Sequence, residues 1–143
     1  MGKKAKVVLD TNIWISIFFN KTLSREFGDL FRSGKIEIFV SKEILKEIAR
    51  ILEYPKIKSI LEMSGITSRE ILNEILRLSK VTNPKKKLEI VKENPEDNVF
   101  LECALESGAD YVVSGDKRLL NLKKFGEIKI ISSRELIEEM KEC

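Results

Sequence analysis

The residues of this chain best suited to chemistry are acids placed at the ends of short apolar runs. Asp10 closes the run Val7-Val8-Leu9, Asp97 opens a helical stretch after Asn94-Pro95-Glu96, and Asp116 follows Tyr111-Val112-Val113-Ser114-Gly115. Val7 to Leu9 is β-branched and aliphatic throughout, the pattern of a strand buried on both faces. A buried strand that delivers an acid to its C-terminal end is where open parallel sheets place ligand sites. Element lengths decide whether the other acids return to that edge. A helix of about ten residues carries the chain ~15 Å away from Asp97 at ~1.5 Å per residue. Gly108 ends it, and a strand from Asp110 to Ser114 returns roughly the same distance at ~3.3 Å per residue. Asp97 and Asp116 therefore meet at one edge, and Asp110 lies at the opposite one as a structural residue. With parallel strands and right-handed crossovers, Asp10 belongs to the same side as Asp116.

A fourth acid comes from the helix after Ser41. Glu47 lies on the flank of its apolar face, close to Ile51, whereas Glu43 points further outward and Glu53 lies opposite. Clustered carboxylates carry a cost: two like charges ~4 Å apart repel by about 4 kcal/mol at an effective dielectric near 20. Such a cluster persists by binding cations or keeping protons. The chain has no histidine, which excludes histidine acid/base catalysis, Ser-His-Asp triads and histidine-ligated zinc. Hard oxygen donors select Mg²⁺ or Mn²⁺, and such an ion can activate water and neutralise a phosphate for in-line attack. Lys117 and Arg118, beside Asp116, are candidate phosphate holders.

Taken singly, each acid has an ordinary explanation. Asp97 suits the positive end of a helix dipole, Asp116 can cap a short helix, and Glu47 can be a solvated helix residue. The convergence of acids from separate parts of the chain is what favours a site.

The positioning elements follow from periodicity. Ser24 to Ser33 reads as a helix ended near Gly34, and Ile36 to Val40 as a strand. Ser41 is an N-cap for a helix reaching about Tyr54, where Pro55 stops it. Lys56 to Met63 and Thr67 to Ser79 read as helices, Val81 to Lys87 as a connector, and Leu88 to Val91 as a weak strand. A helix over Pro95 to Ser107, with Asn94 as its cap, is followed by strand Tyr111 to Ser114 and a turn of helix at Lys117 to Leu122. Strand Ile128 to Ile131 and helix Ser133 to Lys141 complete the order. Strands alternating with helices argue for a parallel sheet covered on both faces.

The totals agree. With 143 residues, 43% hydrophobic and 34% charged, the chain reads as a single domain, residues 1–143. No apolar run approaches the ~18 residues of a membrane span. Two cysteines, Cys103 and Cys143, form neither a disulfide framework nor a zinc motif, which points to a reducing cytoplasm. A net charge of +3 permits a nucleic-acid partner without requiring one. Lys85 to Lys87 reads as a solvated run, Phe18, Phe19, Phe27 and Phe31 as core, and Trp14 as core or dimer interface.

These segments resemble the PIN-domain ribonucleases, especially the small prokaryotic single-domain toxins of toxin–antitoxin pairs. VVLDTN is similar to the family's opening motif, SKEILKEIARIL to its glutamate helix, and PEDNVFLECALESGADYVVSGDKRLL to its closing pair of aspartates. The resemblance implies an α/β, Rossmann-like three-layer α/β/α sandwich with a central, mainly parallel sheet. It assigns Asp10, Glu47, Asp97 and Asp116 to the catalytic metal-binding set, with Asn12, Thr11 and Ser114 as orienting residues. It further implies Mg²⁺- or Mn²⁺-dependent cleavage of RNA, frequent homodimers and often a small antitoxin partner. The chain departs from the pattern at Asn94, where relatives often carry another aspartate. Two other classes compete. A phosphatase of the haloacid dehalogenase type needs a second acid where Asn12 stands. A binding module for RNA or protein would keep the fold without turnover. Within the nuclease class, an RNA-processing enzyme would act without an antitoxin.

Overall fold

The computed structural model describes residues 4–91 and 95–141. Its centre is a six-stranded sheet. Strand β1 (Ala5–Leu9) leads to helices α1 (Thr11–Phe19) and α2 (Lys21–Arg32), then to β2 (Ile36–Ser41). Helices α3 (Lys42–Leu52), α4 (Pro55–Ser64) and α5 (Ser68–Leu78) follow, then β3 (Ser79–Thr82). After a 3-10 turn at Pro95–Asp97 come α6 (Asn98–Ser107), β4 (Tyr111–Val113) and α7 (Lys117–Leu120). Strands β5 (Lys124–Phe125) and β6 (Ile128–Ile131) and helix α8 (Ser133–Lys141) complete the order.

The strands lie in the order β3-β2-β1-β4-β6-β5, all parallel except β5, which pairs antiparallel with β6. Helices flank this sheet in the expected three-layer α/β/α arrangement. The chain winds outward from β1 to β3 and then returns to the other side of β1, so the topological switch point lies between β1 and β4. Ligand crevices of open α/β sheets form at that position. Central burial matches the sequence pattern: Val7, Val8, Leu9, Val112 and Val113 are fully buried. Ile44, Ile48 and Leu52 recur at helical spacing on α3 and are also fully buried. Each contributes about 1.5–3 kcal/mol of transfer free energy, which fixes the rotation of that helix on the sheet.

Several elements depart from the sequence expectations. The apolar segment after Asn12, which carries no sequence expectation, is helical. Mean apolarity all round α1 leaves no amphipathic period to read, and Asp10 caps it by accepting from the Ile13 N–H at 2.9 Å. Helix α2 begins three residues before Ser24, because Asn20 caps it through the Leu23 N–H. The connector expected at Val81 contains part of β3, an edge strand registered on β2 from Ile38↔Ser79 to Ser41↔Thr82. Its residues are half-buried or exposed, so pairing rather than apolar patterning defines it. Leu88 to Val91 is not a strand. That segment is held by one polar face of α6: Lys85 N–H donates to Glu106, Leu88 N–H to Glu102, and the N–H groups of Ile90 and Val91 to Asn98. The strand expected through Ser114 ends at Val113. The cap expected at Asn94 and the thiol of Cys143 lie outside the described residues.

Trp14 is fully buried in the core. Phe27 is buried, while Phe18, Phe19 and Phe31 are only partly so. Cys103 is buried, and that burial pushes its thiol up to about 11, as expected of a packed, unreactive cysteine. Asp110 stands at the N-terminal edge of β4, accepting from the Lys6 N–H at 2.9 Å.

Candidate active site

Parallel pairing of β1 with β4 places Leu9 opposite Val113. The residues immediately beyond, Asp10 and Ser114, are thereby adjacent, and the Asp10 N–H donates to the Val113 carbonyl at 3.0 Å. Asp10 is buried. One of its oxygens takes the Ile13 N–H, and the other accepts from the Ser114 hydroxyl at 2.5 Å. Ser114, itself fully buried, accepts in turn from the Asp116 N–H at 2.9 Å. One hydroxyl thus ties the end of β1 to the loop that carries Asp116. Burial pushes the Asp10 carboxyl up, against the pull of these two hydrogen bonds.

Asp97 ends the 3-10 turn and stands at the N-cap of α6, but its side chain makes no capping bond. The carboxylate instead faces a cleft of about 180 Å³. Its Oδ2 lies 3.6 Å from the Arg118 Nε, too far for a hydrogen bond, and is buried without a hydrogen-bond partner among the described residues. Burial, then repulsion from Asp116, pushes this carboxyl up to about 6, with Arg118 opposing. Asp116 caps α7 through the Arg118 N–H at 2.8 Å and pairs with the Arg118 guanidinium at 3.1 Å. Burial raises Asp116, but these Arg118 contacts outweigh it and hold the carboxyl below its ordinary value.

Glu47 reaches the same cleft from α3 and pairs with Arg50 one turn later. Arg50 also pairs with Glu96 at 3.1 Å, so it bridges α3 to the turn bearing Asp97. The cleft is lined by Asp10, Thr11, Asn12, Glu47, Asp97 and Asp116, with Arg118 among its remaining walls. Asn12 is exposed at its rim, and the Thr11 hydroxyl is buried with no hydrogen-bond partner among the described residues. Lys117 is exposed and is not among the lining residues. Neither Arg50 nor Glu96 was singled out from the sequence. The spacing of Arg50 three residues after Glu47, on one helix face, was the available signal.

The donor set suits a hard divalent cation: the candidate ligands are oxygens, and two buried polar oxygens, on Thr11 and Asp97, stand unsatisfied in one cleft. As the side chains stand, no three acids among the described residues are close enough to share an ion; Glu47 pairs with Arg50, Asp97 and Asp116 with Arg118, and Asp10 bonds to Ser114 and the Ile13 N–H. A larger cavity of about 390 Å³, walled by Trp14, Phe18, Phe27 and Phe31, lies between α1, α2 and α5 and has no such cluster.

Comparison with known proteins agrees with this architecture. The PIN domain model matches residues 6–118. The uncharacterized protein MJ1680 of Methanocaldococcus jannaschii is 32% identical, covering 95% of this chain and 92% of that protein. A chain of the crystal structure of VapBC2 from Rickettsia felis, bound to a DNA fragment from their promoter, superposes with a TM-score of 0.59. It shares 13% identity over 87% of this chain and 96% of that one, a likeness of fold. The matched family model runs from β1 into α7 and so takes in every element that borders the cleft: this chain belongs to the PIN domain family.

Proposed function

We propose that the chain is a cytoplasmic, Mg²⁺- or Mn²⁺-dependent endoribonuclease that acts as the toxin of a toxin–antitoxin pair. The observation that carries this reading is the meeting of Asp10, Glu47, Asp97 and Asp116 in one cleft, each from a different segment of the chain. PIN domains are generally nucleases, which supports hydrolysis of a phosphodiester. The likeness to a VapBC complex supports a small antitoxin partner. The four acids would hold the cation, which when bound lowers the pKa of water and neutralises phosphate charge. Ser114 fixes Asp10 by its hydroxyl, and Thr11 and Asn12 line the approach to it. Arg118 is placed to meet a substrate phosphate with a planar guanidinium. A homodimer belongs to the same reading.

The test is cleavage of structured RNAs with Mg²⁺, Mn²⁺ or chelator, comparing wild type with Asp10→Asn. Cleavage is expected with metal and wild type alone. Undiminished cleavage in chelator, or by Asp10→Asn, would overturn the proposal; RNA bound but left intact by the wild type would favour a binding module. Co-purification with a small protein encoded alongside separates a toxin from a solitary RNA-processing enzyme.

A further inference from the structure

Arg118 spans two acids that belong to different elements. Its Nη2 lies 3.1 Å from Asp116 Oδ2, and its Nε lies 3.6 Å from Asp97 Oδ2. We propose that Arg118 is a positioning residue for the metal site: its guanidinium holds Asp97 and Asp116 toward one point in the cation-free protein and gives way when a divalent ion takes their oxygens. This rests on the metal-dependent reading above.

Three features support the exchange. The two acids both lie against the one guanidinium and would otherwise repel across the cleft, so a cation near both relieves that repulsion in either state. A guanidinium and a divalent ion cannot share the same two oxygens without strong mutual repulsion. The Arg118 side chain is also about half-exposed, at 47%, which leaves it room to turn outward. Its departure would not unfold the corner, because the backbone N–H of Arg118, not its side chain, satisfies Asp116 Oδ1 at 2.8 Å.

Calorimetric titration of Mn²⁺ into wild type, Arg118→Gln, Arg118→Lys and Lys117→Gln tests this, together with thermal unfolding in chelator. Arg118→Gln should bind Mn²⁺ about fivefold more tightly, the scale of two partly exposed ion pairs released, and should unfold at a lower temperature in chelator. Opposite signs in the two measurements mark an exchanged cation, because a residue that only supported the fold would weaken both. Arg118→Lys keeps the charge but loses the planar fork and should fall between. Lys117→Gln removes the same charge outside the cleft and should stay within about twofold of wild type, since solvent screens it. Equal Mn²⁺ affinity in wild type and Arg118→Gln, or equal tightening by Lys117→Gln, overturns the exchange. Failure of the wild type to bind Mn²⁺ overturns the metal-dependent reading itself.

Discussion

The Ser114 hydroxyl donates to Asp10 while accepting from the Asp116 N–H, so a single buried oxygen links two acids that lie more than a hundred positions apart in sequence. Ser114→Ala would leave one oxygen of a buried carboxylate unsatisfied. That loss costs about 1–3 kcal/mol and should appear as a lower unfolding midpoint at unchanged m-value. RNA cleavage should fall with it, because Asp10 then loses the side-chain donor that fixes it from the β4 side and keeps only the Ile13 and Gly115 backbone donors. An unchanged midpoint would mean that the bond contributes nothing net.

Asp97 supplies a pH signature for the metal-free protein. Its folded pKa of about 6 lies above the ordinary 3.8, so the fold binds this proton more tightly than the unfolded chain does. The associated stability is complete below the unfolded pKa and is lost as pH rises through about 6. At ~1.36 kcal/mol per unit the bound is about 3 kcal/mol, and water in the open cleft should reduce it to about 1–2. In chelator, Asp97→Asn should therefore be more stable than wild type at pH 7 and lose that advantage near pH 4. Chemical denaturation at both pH values reads this directly; an advantage at pH 4 as large as that at pH 7 contradicts it.

Asn98 holds the segment before the turn through three bonds, accepting from the Ile90 and Val91 N–H groups and donating to the Val91 carbonyl. Asn98→Ala should cost about 2–4 kcal/mol, since each buried bond is worth about 1 and the orphaned groups add to that. Amide exchange at Leu88, Ile90 and Val91 should accelerate before exchange in β1 does. Uniform acceleration would show that the segment opens only with the whole fold.

Glu47 and Glu53 occupy the same region of sequence but different environments, since only Glu47 lines the cleft. Glu47→Gln should raise the Mg²⁺ concentration for half-maximal cleavage by about tenfold or more, while Glu53→Gln leaves it unchanged. Metal titrations of the two variants provide the comparison. Equal effects would remove Glu47 from the proposed ligand set.

Local chemistry made much of this protein legible from its sequence. The Val7–Leu9 run, the Ser41 cap, the apolar stripe of α3 and the Gly108 stop each follow from short-range preferences, and the lengths of α6 and β4 foretold that Asp97 and Asp116 would face one edge. Tertiary structure decided what lacks a local signal. Strands β3 and β5 exist because neighbours offer unpaired edges, not because their residues alternate. The segment Leu88 to Val91 is held by side chains of α6 and not by a strand ladder. Asp10 serves as helix cap and cleft carboxylate at once, which no one-dimensional pattern separates. The pairing of Glu47 with Arg50, and of Asp97 and Asp116 with Arg118, depends on where helices α3 and α7 come to rest. Charge and periodicity are properties of the chain, whereas the environment that moves Asp97 to about 6 exists only once four distant segments have excluded water together.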